Sequence, residues 1–176
     1  MIDVVGTRVR LRSLTLDDLE PLAAAREADE TSFGPGGEQA RARLRKEIQR
    51  SATLEDGEYL DLALEADGRL IGDVQARMPP RAWPAGVCEI GILLFEDARG
   101  RGYGREAVTL FTDYLFREGL ERVQASTAAG NIAMRRVLEV VGYGFEGILR
   151  SYGPTPEGGR EDYAMYAASR ADWLSN

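Results

Sequence analysis

The sequence predicts an α/β fold, a mixed and mostly antiparallel sheet of six to seven strands flanked by about four helices. Apolar and polar residues alternate over Arg8–Arg12 with the two-residue period of a half-buried strand. A hairpin is indicated at 60–74, where two alternating segments flank the turn dipeptide Asp67-Gly68. Strands at 87–94 and 122–127 enclose a helical segment, so this strand–helix–strand unit predicts the single parallel crossover of the sheet.

Two helices are predicted in the first third of the chain. The first runs from about Asp18 to Glu27, and either Thr15 or Asp18 can cap it. Because Pro21 is best tolerated in a first turn, the position of that proline favours Asp18 as the cap. The second covers 38–50, where small and apolar residues recur every four positions among many charges.

Two further helices and two closing strands complete the prediction. One helix covers 104–117 and stops at Gly119, and another covers 131–141. Each has an apolar stripe at helical spacing that we expect to face the core. The stripes are Ala107, Leu110, Phe111, Tyr114 and Leu115, and then Met134, Val137, Leu138 and Val141. The closing strands lie near 145–150 and 162–167.

Composition narrows the classes of function. A chain of 176 residues predicts one domain, covering residues 1–176. The net charge of −7 argues against a general nucleic-acid binder, because phosphate contacts need Lys and Arg. Cys88 is the only cysteine and histidine is absent, so we expect no disulfide framework and no metal centre. No apolar run is long enough to span a bilayer, and we expect a cytoplasmic protein without membrane contact.

A glycine- and arginine-rich turn is the strongest chemical signal. It joins the strand at 87–94 to the following helix, where free backbone N–H groups and the helix dipole favour an anion. Three glycines allow close backbone approach, and three arginines match phosphate oxygens. The turn therefore predicts a pyrophosphate-sized ligand, although a solvated surface turn is the plain alternative. Its residues are Arg99, Gly100, Arg101, Gly102, Tyr103, Gly104 and Arg105.

The segment Gly102–Ala107 also fits the dinucleotide fingerprint G-x-G-x-x-A. That fingerprint requires an acidic residue about 20 positions later, at the end of the next strand, to hold a ribose. The strand at 122–127 continues into Ala128 and Ala129, with no suitably placed carboxylate. A nicotinamide or flavin enzyme is therefore disfavoured.

The pattern Arg99-x-x-Gly102-x-Gly104 resembles the R/Q-x-x-G-x-G/A signature of the GNAT superfamily of N-acetyltransferases. The segments 89–94 and 131–147 look like the RimJ/RimL branch of that superfamily, so the resemblance spans nearly the whole chain. It implies a V-shaped splay between the strands at 87–94 and 122–127. It also implies acetyl-CoA as co-substrate, an amine as acceptor, no metal, and a homodimer as a common assembly.

The resemblance assigns the cofactor-binding residues. The turn residues would cradle the pyrophosphate, and the backbone of Ile92, Leu93 and Leu94 would pair with the pantetheine arm as an added half-strand. Asn131 would bond the pantetheine, although an ordinary helix N-cap is the alternative for this residue. Arg135 or Arg136 would reach the nucleotide phosphate.

Amide formation requires a base, an oxyanion donor and a leaving thiolate. Glu89 is the first candidate for the base, acting through water, with Asp73 as a substitute; an ordinary salt-bridging strand residue is the alternative reading of Glu89. A backbone N–H near Leu93–Leu94, turned by a β-bulge, would hold the oxyanion.

The acid that protonates the thiolate is not identified by the sequence. The positions where relatives carry Tyr or Ser are Leu138 and Met134 here, which leaves Tyr143, Ser126 or solvent. By the resemblance, Phe33 and Trp83 lie in loops that would border the acceptor, and anchoring of a loop in the core is the alternative for both.

The sequence therefore predicts an acetyl-CoA-dependent N-acetyltransferase. Its acceptor is either a protein N-terminus, as the RimJ/RimL resemblance suggests, or a small-molecule amine. O-acetyl or longer-chain acyl transfer on the same scaffold is one alternative, and it would differ in pocket shape rather than in motif. The other alternative is a catalytically degenerate protein that senses acetyl-CoA, which the missing Tyr and Ser favour.

Overall fold

Eight strands form one sheet in the computed structural model, which describes residues 1–28, 37–50, 59–78, 84–155 and 157–175. Their order across the sheet is β1-β2-β3-β4-β5-β6-β8-β7, and every neighbouring pair is antiparallel except β5 and β6. The strands are β1 Asp3–Val5, β2 Val9–Ser13, β3 Tyr59–Ala66, β4 Arg69–Arg77, β5 Val87–Leu94, β6 Arg122–Ala128, β7 Gly144–Pro154 and β8 Arg160–Ser169. The predicted mixed sheet with one parallel crossover is confirmed, with more strands than the predicted six to seven.

Five α-helices flank the sheet among the described residues, and the four predicted ones are present within a residue or two of the expected bounds. They are α1 Leu19–Ala28, α2 Gly37–Arg50, α3 Tyr103–Arg117, α4 Ile132–Val141 and α5 Arg170–Leu174. Within the described ranges, no helix is long and apolar enough to cross a membrane.

The two faces of the sheet carry two apolar clusters. Alternation along β3 directs Leu60, Leu62 and Leu64 into the larger cluster, which includes residues of α3 and α4. Ala63 points to the opposite face and joins the smaller cluster with residues of α1 and α2. Both faces are therefore covered. Asp61, which lies on the same face of β3 as Ala63, is buried as well.

Three features departed from the sequence-based expectation. The strand β1 and the helix α5 were not predicted, because three and five residues are too few to set a period. The prediction of Asp18 as a helix cap was wrong. A 3₁₀ turn at Leu16–Asp18 precedes α1, and Thr15 occupies the cap, donating its backbone N–H to the Asp18 carboxylate over 2.8 Å. Asp18 thus acts from the third helical position, as the acidic residue of a capping box does.

The bulge expected at Leu93–Leu94 lies instead one strand away. The β4–β5 register runs unbroken over Gly72–Arg77 and Glu89–Leu94, whereas the β3–β4 register shifts beside Leu64, leaving Ile71 as the extra residue of β4. Gly72 follows this bulge with a φ of 153°, and a Cβ there would collide with the carbonyl oxygen of Leu93. Only glycine allows β4 to lie this close to the end of β5.

Gly72→Ala is expected to lower the free energy of unfolding by about 3 kcal/mol or more, because the backbone angle and the Leu93 carbonyl both oppose a Cβ. Urea denaturation measures the loss. Gly130→Ala is the matched control, since a Cβ there meets nothing within 4 Å, and should change stability by less than about 1 kcal/mol. Equal stability of the two variants would contradict the close approach of β4 and β5.

Cys88 is fully buried on the core face of β5, and burial together with the neighbouring Glu89 raises the pKa of its thiol to about 12. A buried thiol that remains protonated does not react as a nucleophile. The native protein should therefore show no reaction with Ellman's reagent at pH 8, and one equivalent of thiol in guanidinium chloride. Rapid reaction in the native state would show that the β5–β6 region opens readily.

Candidate active site

The parallel pair β5–β6 separates after three residue pairs. Val87, Cys88 and Glu89 face Arg122, Val123 and Gln124 in register. Beyond them β5 continues to Leu94 and β6 to Ala128, and no register between the two strands extends into these segments. The segment Ile92–Leu94 pairs with β4 on its other side, so its edge toward β6 is open to an extended ligand. This is the predicted V-shaped splay.

The glycine- and arginine-rich turn lies at the open end of the splay. A 3₁₀ turn at Glu96–Ala98 follows β5, and Gly100 and Gly102 then adopt positive φ angles of 73° and 83°. Gly102 caps α3 without a side chain, and the first backbone bond back to it comes from Glu106 over 3.4 Å. The N–H groups that precede Glu106 are available to an anion at the positive end of the helix dipole.

The arginines of this turn differ in their contacts. Arg99 is exposed and donates from Nε to the carbonyl oxygen of Leu94 over 3.0 Å, which ties the turn to the end of β5. Arg101 and Arg105 are exposed, whereas Tyr103 is buried. The turn therefore presents positive charge to solvent around a helix start that has no side-chain cap, as the predicted phosphate site requires.

Glu89 is buried at the last residue pair between β5 and β6, on the sheet face that α1 and α2 cover. Its Oε1 accepts from an Arg77 guanidinium nitrogen over 3.0 Å and from the Ser126 hydroxyl over 3.2 Å. Its Oε2 accepts from the Gln124 amide nitrogen over 3.3 Å. The ion pair that the sequence offered as the alternative for Glu89 is thus present. A carboxylate has about four acceptor sites, so at least one remains open.

Asp73, the substitute base, belongs to a fully buried carboxylate pair. Its Oδ2 and that of Asp61 accept from the same guanidinium nitrogen of Arg26, over 2.8 Å and 2.7 Å. Burial first, and then the charge of Asp73, raise the pKa of Asp61 well above its usual range, against the opposing effect of Arg26. Burial thus favours the protonated form of Asp61, while Arg26 bridges the two side chains.

Asn131 and Arg135, the two residues near α4 that were predicted to bind the cofactor, both make side-chain hydrogen bonds within the protein. The side-chain oxygen Oδ1 of Asn131 accepts from the Met134 N–H over 3.2 Å, and its side-chain nitrogen Nδ2 donates to the Thr127 hydroxyl over 3.1 Å. This is the helix-capping role that the sequence allowed. Arg135 donates to the Ala129 carbonyl over 3.0 Å, so it holds the β6–α4 connection in place.

Tyr143 lies in the larger core, away from the open end of the splay. Its hydroxyl is 2.7 Å from the Thr112 hydroxyl, and burial raises its pKa far above the usual range. This placement argues against Tyr143 as the acid that protonates a thiolate. Ser126 does reach the splay, where it donates to Glu89. Phe33 and Trp83 lie outside the described residues.

Sequence reasoning missed Arg26, Asp61 and Arg77. The alternation of β3 placed Asp61 on the face opposite the core leucines, and such a face of an antiparallel sheet is commonly exposed to solvent. Covering that face with α1 and α2 buries the carboxylate, and Arg26 of α1 then becomes its partner. The available signal was an aspartate in a strand whose other residues are mostly apolar, because buried carboxylates require a partner.

A split sheet with a glycine- and arginine-rich turn at its open end fits an acyltransferase that uses a phosphate-bearing acyl carrier. The family model for the GNAT acetyltransferase domain matches residues 8–144. The chain therefore belongs to the GNAT acetyltransferase family, as the sequence predicted.

One curated relative and two solved structures are similar to this chain. The probable N-acetyltransferase YjcK of Bacillus subtilis (strain 168) is 33% identical over 105 residues, which span 59% of this chain and 58% of that relative. A RimL ribosomal L7/L12 alpha-N-protein acetyltransferase in complex with coenzyme A has a TM-score of 0.81 at 18% identity, covering 96% of this chain and 98% of that one. A spermidine N-acetyltransferase SpeG chimera from Vibrio cholerae and hSSAT has a TM-score of 0.83 at 19% identity, covering 97% and 100%. The two solved structures show that this chain shares their fold.

Asp61→Asn and Asp73→Asn should differ sharply in stability, although both residues are buried. An asparagine can replace the neutral Asp61, at a cost below about 1 kcal/mol, whereas Asp73→Asn leaves Arg26 without its carboxylate and costs about 3 kcal/mol or more. Urea denaturation at pH 7 compares them, and equal losses would contradict the assignment of the proton to Asp61.

The pH dependence of the free energy of unfolding gives a second test of the Asp61–Asp73 pair. Because the pKa of Asp61 is raised on folding, the folded state binds the extra proton and its stabilising effect is lost as the pH rises through the folded pKa. The stability of Asp61→Asn relative to the wild type should therefore increase from about pH 4 upward. A flat difference would show that Asp61 is ionised in the folded protein.

Proposed function

We propose that this chain is an N-acetyltransferase that transfers the acetyl group of acetyl-CoA to a primary amine by direct attack on the thioester. The splay of β5 from β6 after Glu89, with the anion-binding turn at its open end, is the observation that carries the proposal. The splay accepts the extended arm of a carrier, and the turn accepts its pyrophosphate. Membership of the GNAT family supports the same chemistry.

The cofactor would bind through backbone groups for the most part. The N–H groups at the start of α3 bond the pyrophosphate oxygens, while Arg99, Arg101 and Arg105 neutralise the charge. The pantetheine amides pair with the free edge of Ile92–Leu94. Because the Asn131 side chain already caps α4, its contact with the pantetheine would be made in addition to that cap.

Glu89 is the proposed base, acting through a water on the acceptor face. The neutral amine attacks the carbonyl carbon, its lost proton passes through the water to the open acceptor site of Glu89, and the carbon–sulfur bond breaks. A backbone N–H at the Leu93–Leu94 end of β5 stabilises the oxyanion, so Leu94 contributes no side-chain chemistry. The thiolate leaves and takes a proton from solvent, which requires no Tyr143.

The acceptor is proposed as a primary amine of either kind, a protein N-terminus or a small molecule. The RimL and SpeG structures share this fold and their names specify a ribosomal protein and spermidine, so the fold is compatible with both classes. The carboxylates of Glu89, Asp73 and Glu47 are paired with the guanidinium groups of Arg77, Arg26 and Arg43. The net charge of −7 of the chain favours a cationic acceptor.

A second candidate function is favoured by one observation. The carboxylate of Glu89 already accepts from three side chains, and both family positions for an acid carry apolar residues, Leu138 and Met134. A chain that binds acetyl-CoA without turnover would have the same arrangement. The experiment below separates the two.

The test measures free thiol release from acetyl-CoA with a panel of polyamines, amino acids and N-terminal peptides, beside calorimetric titration with CoA. Glu89→Gln should lower kcat about a hundredfold or more and leave CoA affinity unchanged, because it removes a proton acceptor from the acceptor face. Arg99→Ala/Arg101→Ala should abolish CoA binding. Arg117→Ala, at the exposed far end of α3, is the matched control and should behave as the wild type.

Each outcome has a distinct meaning. Amine-dependent thiol release that ignores Glu89→Gln would exclude Glu89 as the base while keeping the transferase. Binding of acetyl-CoA with no turnover on any acceptor would establish the second candidate. Absence of CoA binding by the wild type would overturn the proposed cofactor.

A further inference from the structure

Arg8, just before β2 and far from the turn in sequence, contacts the anion-binding turn from behind. A guanidinium nitrogen of Arg8 donates to the Arg101 carbonyl over 3.0 Å. The guanidinium carbon lies 4.6 Å from the centroid of the Tyr103 ring, within cation–π range. A Cβ at Gly102 would lie 3.6 Å from the other terminal nitrogen. One side chain therefore touches three consecutive residues of the turn.

The backbone beside Arg8 is fixed to the first turn of α3. Glu106 Oε1 accepts from the Arg8 N–H over 2.6 Å and from the Val9 N–H over 3.2 Å. Gly6 makes room for this carboxylate, since a Cβ there would lie 2.9 Å from the same oxygen. The entry into β2 and the start of α3 thus form one rigid unit, which holds the guanidinium of Arg8 in register with the turn.

A turn that binds an anion through its N–H groups directs its carbonyl groups away from that anion. The Arg101 carbonyl lies between the two glycines with positive φ, and Arg8 is the charged donor that satisfies it. A charge-assisted hydrogen bond to this carbonyl favours the conformation in which the N–H groups converge. The positive charge of Arg8 also adds to the potential at the uncapped helix start.

We propose that Arg8 is a positioning residue for the phosphate site, which it preorganises through Arg101 and Tyr103 without being required for the chemical step. This inference rests on the proposed binding of acetyl-CoA. It predicts that loss of Arg8 weakens the binding of the phosphate-containing part of acetyl-CoA. The reaction of a phosphate-free thioester should be unchanged.

The test compares acetyl-CoA with S-acetylpantetheine, which contains the same thioester and arm but no pyrophosphate. Arg8→Ala should raise the KM for acetyl-CoA and the Kd for CoA about tenfold, with kcat changed less than twofold. Its kcat/KM for S-acetylpantetheine should equal that of the wild type. Arg8→Lys retains the charge but not the planar fork, and should recover only part of the affinity.

Arg10→Ala is the matched control, because it removes an arginine two residues away but breaks ion pairs with Asp3 and Glu65 instead. It should leave both substrates unaffected. If Arg8→Ala binds CoA as Arg10→Ala does, or if it impairs both thioesters equally, the inference is overturned. If Arg8→Ala does not fold, equal CoA affinity of Arg8→Lys and the wild type overturns it. Failure of the wild type to bind CoA is a separate result, which overturns the proposed function itself.

Discussion

The separation of β5 from β6 is the constraint on which the rest of this structure depends. The two strands pair through Glu89 and Gln124 and then diverge, because β5 stays in register with β4 while β6 stays in register with β8. Gly72 permits the close contact of β4 with the end of β5, and Arg99 ties the following turn to the Leu94 carbonyl. The open edge of β5 and the glycine- and arginine-rich turn are therefore held in one fixed relation.

The sheet face beneath α1 and α2 is built on buried charge rather than on apolar packing alone. Arg26 connects α1 to both Asp61 and Asp73 on the sheet and to Glu47 of α2. Such a buried cluster is stable only when every charge is matched, which the neutral form of Asp61 helps to achieve. The same interactions that fix α1 and α2 on the sheet thus determine the electrostatics beside the splay.

The sequence predicted the fold well where a period or a turn dipeptide was present. The hairpin of β3 and β4, the strand β5 and the stripe of α3 all lie where their patterns placed them. The phosphate turn was predicted from composition and from its position between a strand and a helix. Asp18 was misjudged as the cap because Pro21 constrains the helix start only loosely, and a 3₁₀ turn capped by Thr15 extended that start.

By itself, then, the sequence determined the secondary structure, the parallel crossover and the family, because these follow from local periodicity and from motifs whose backbone requirements are local. Only the tertiary structure decided what each polar side chain does. Glu89 acquires Arg77 from β4 and Ser126 from β6, Tyr143 is turned into the core, and Asp61 meets Arg26 of α1. These contacts join residues far apart along the chain, and no local pattern encodes which of them share one face of the sheet.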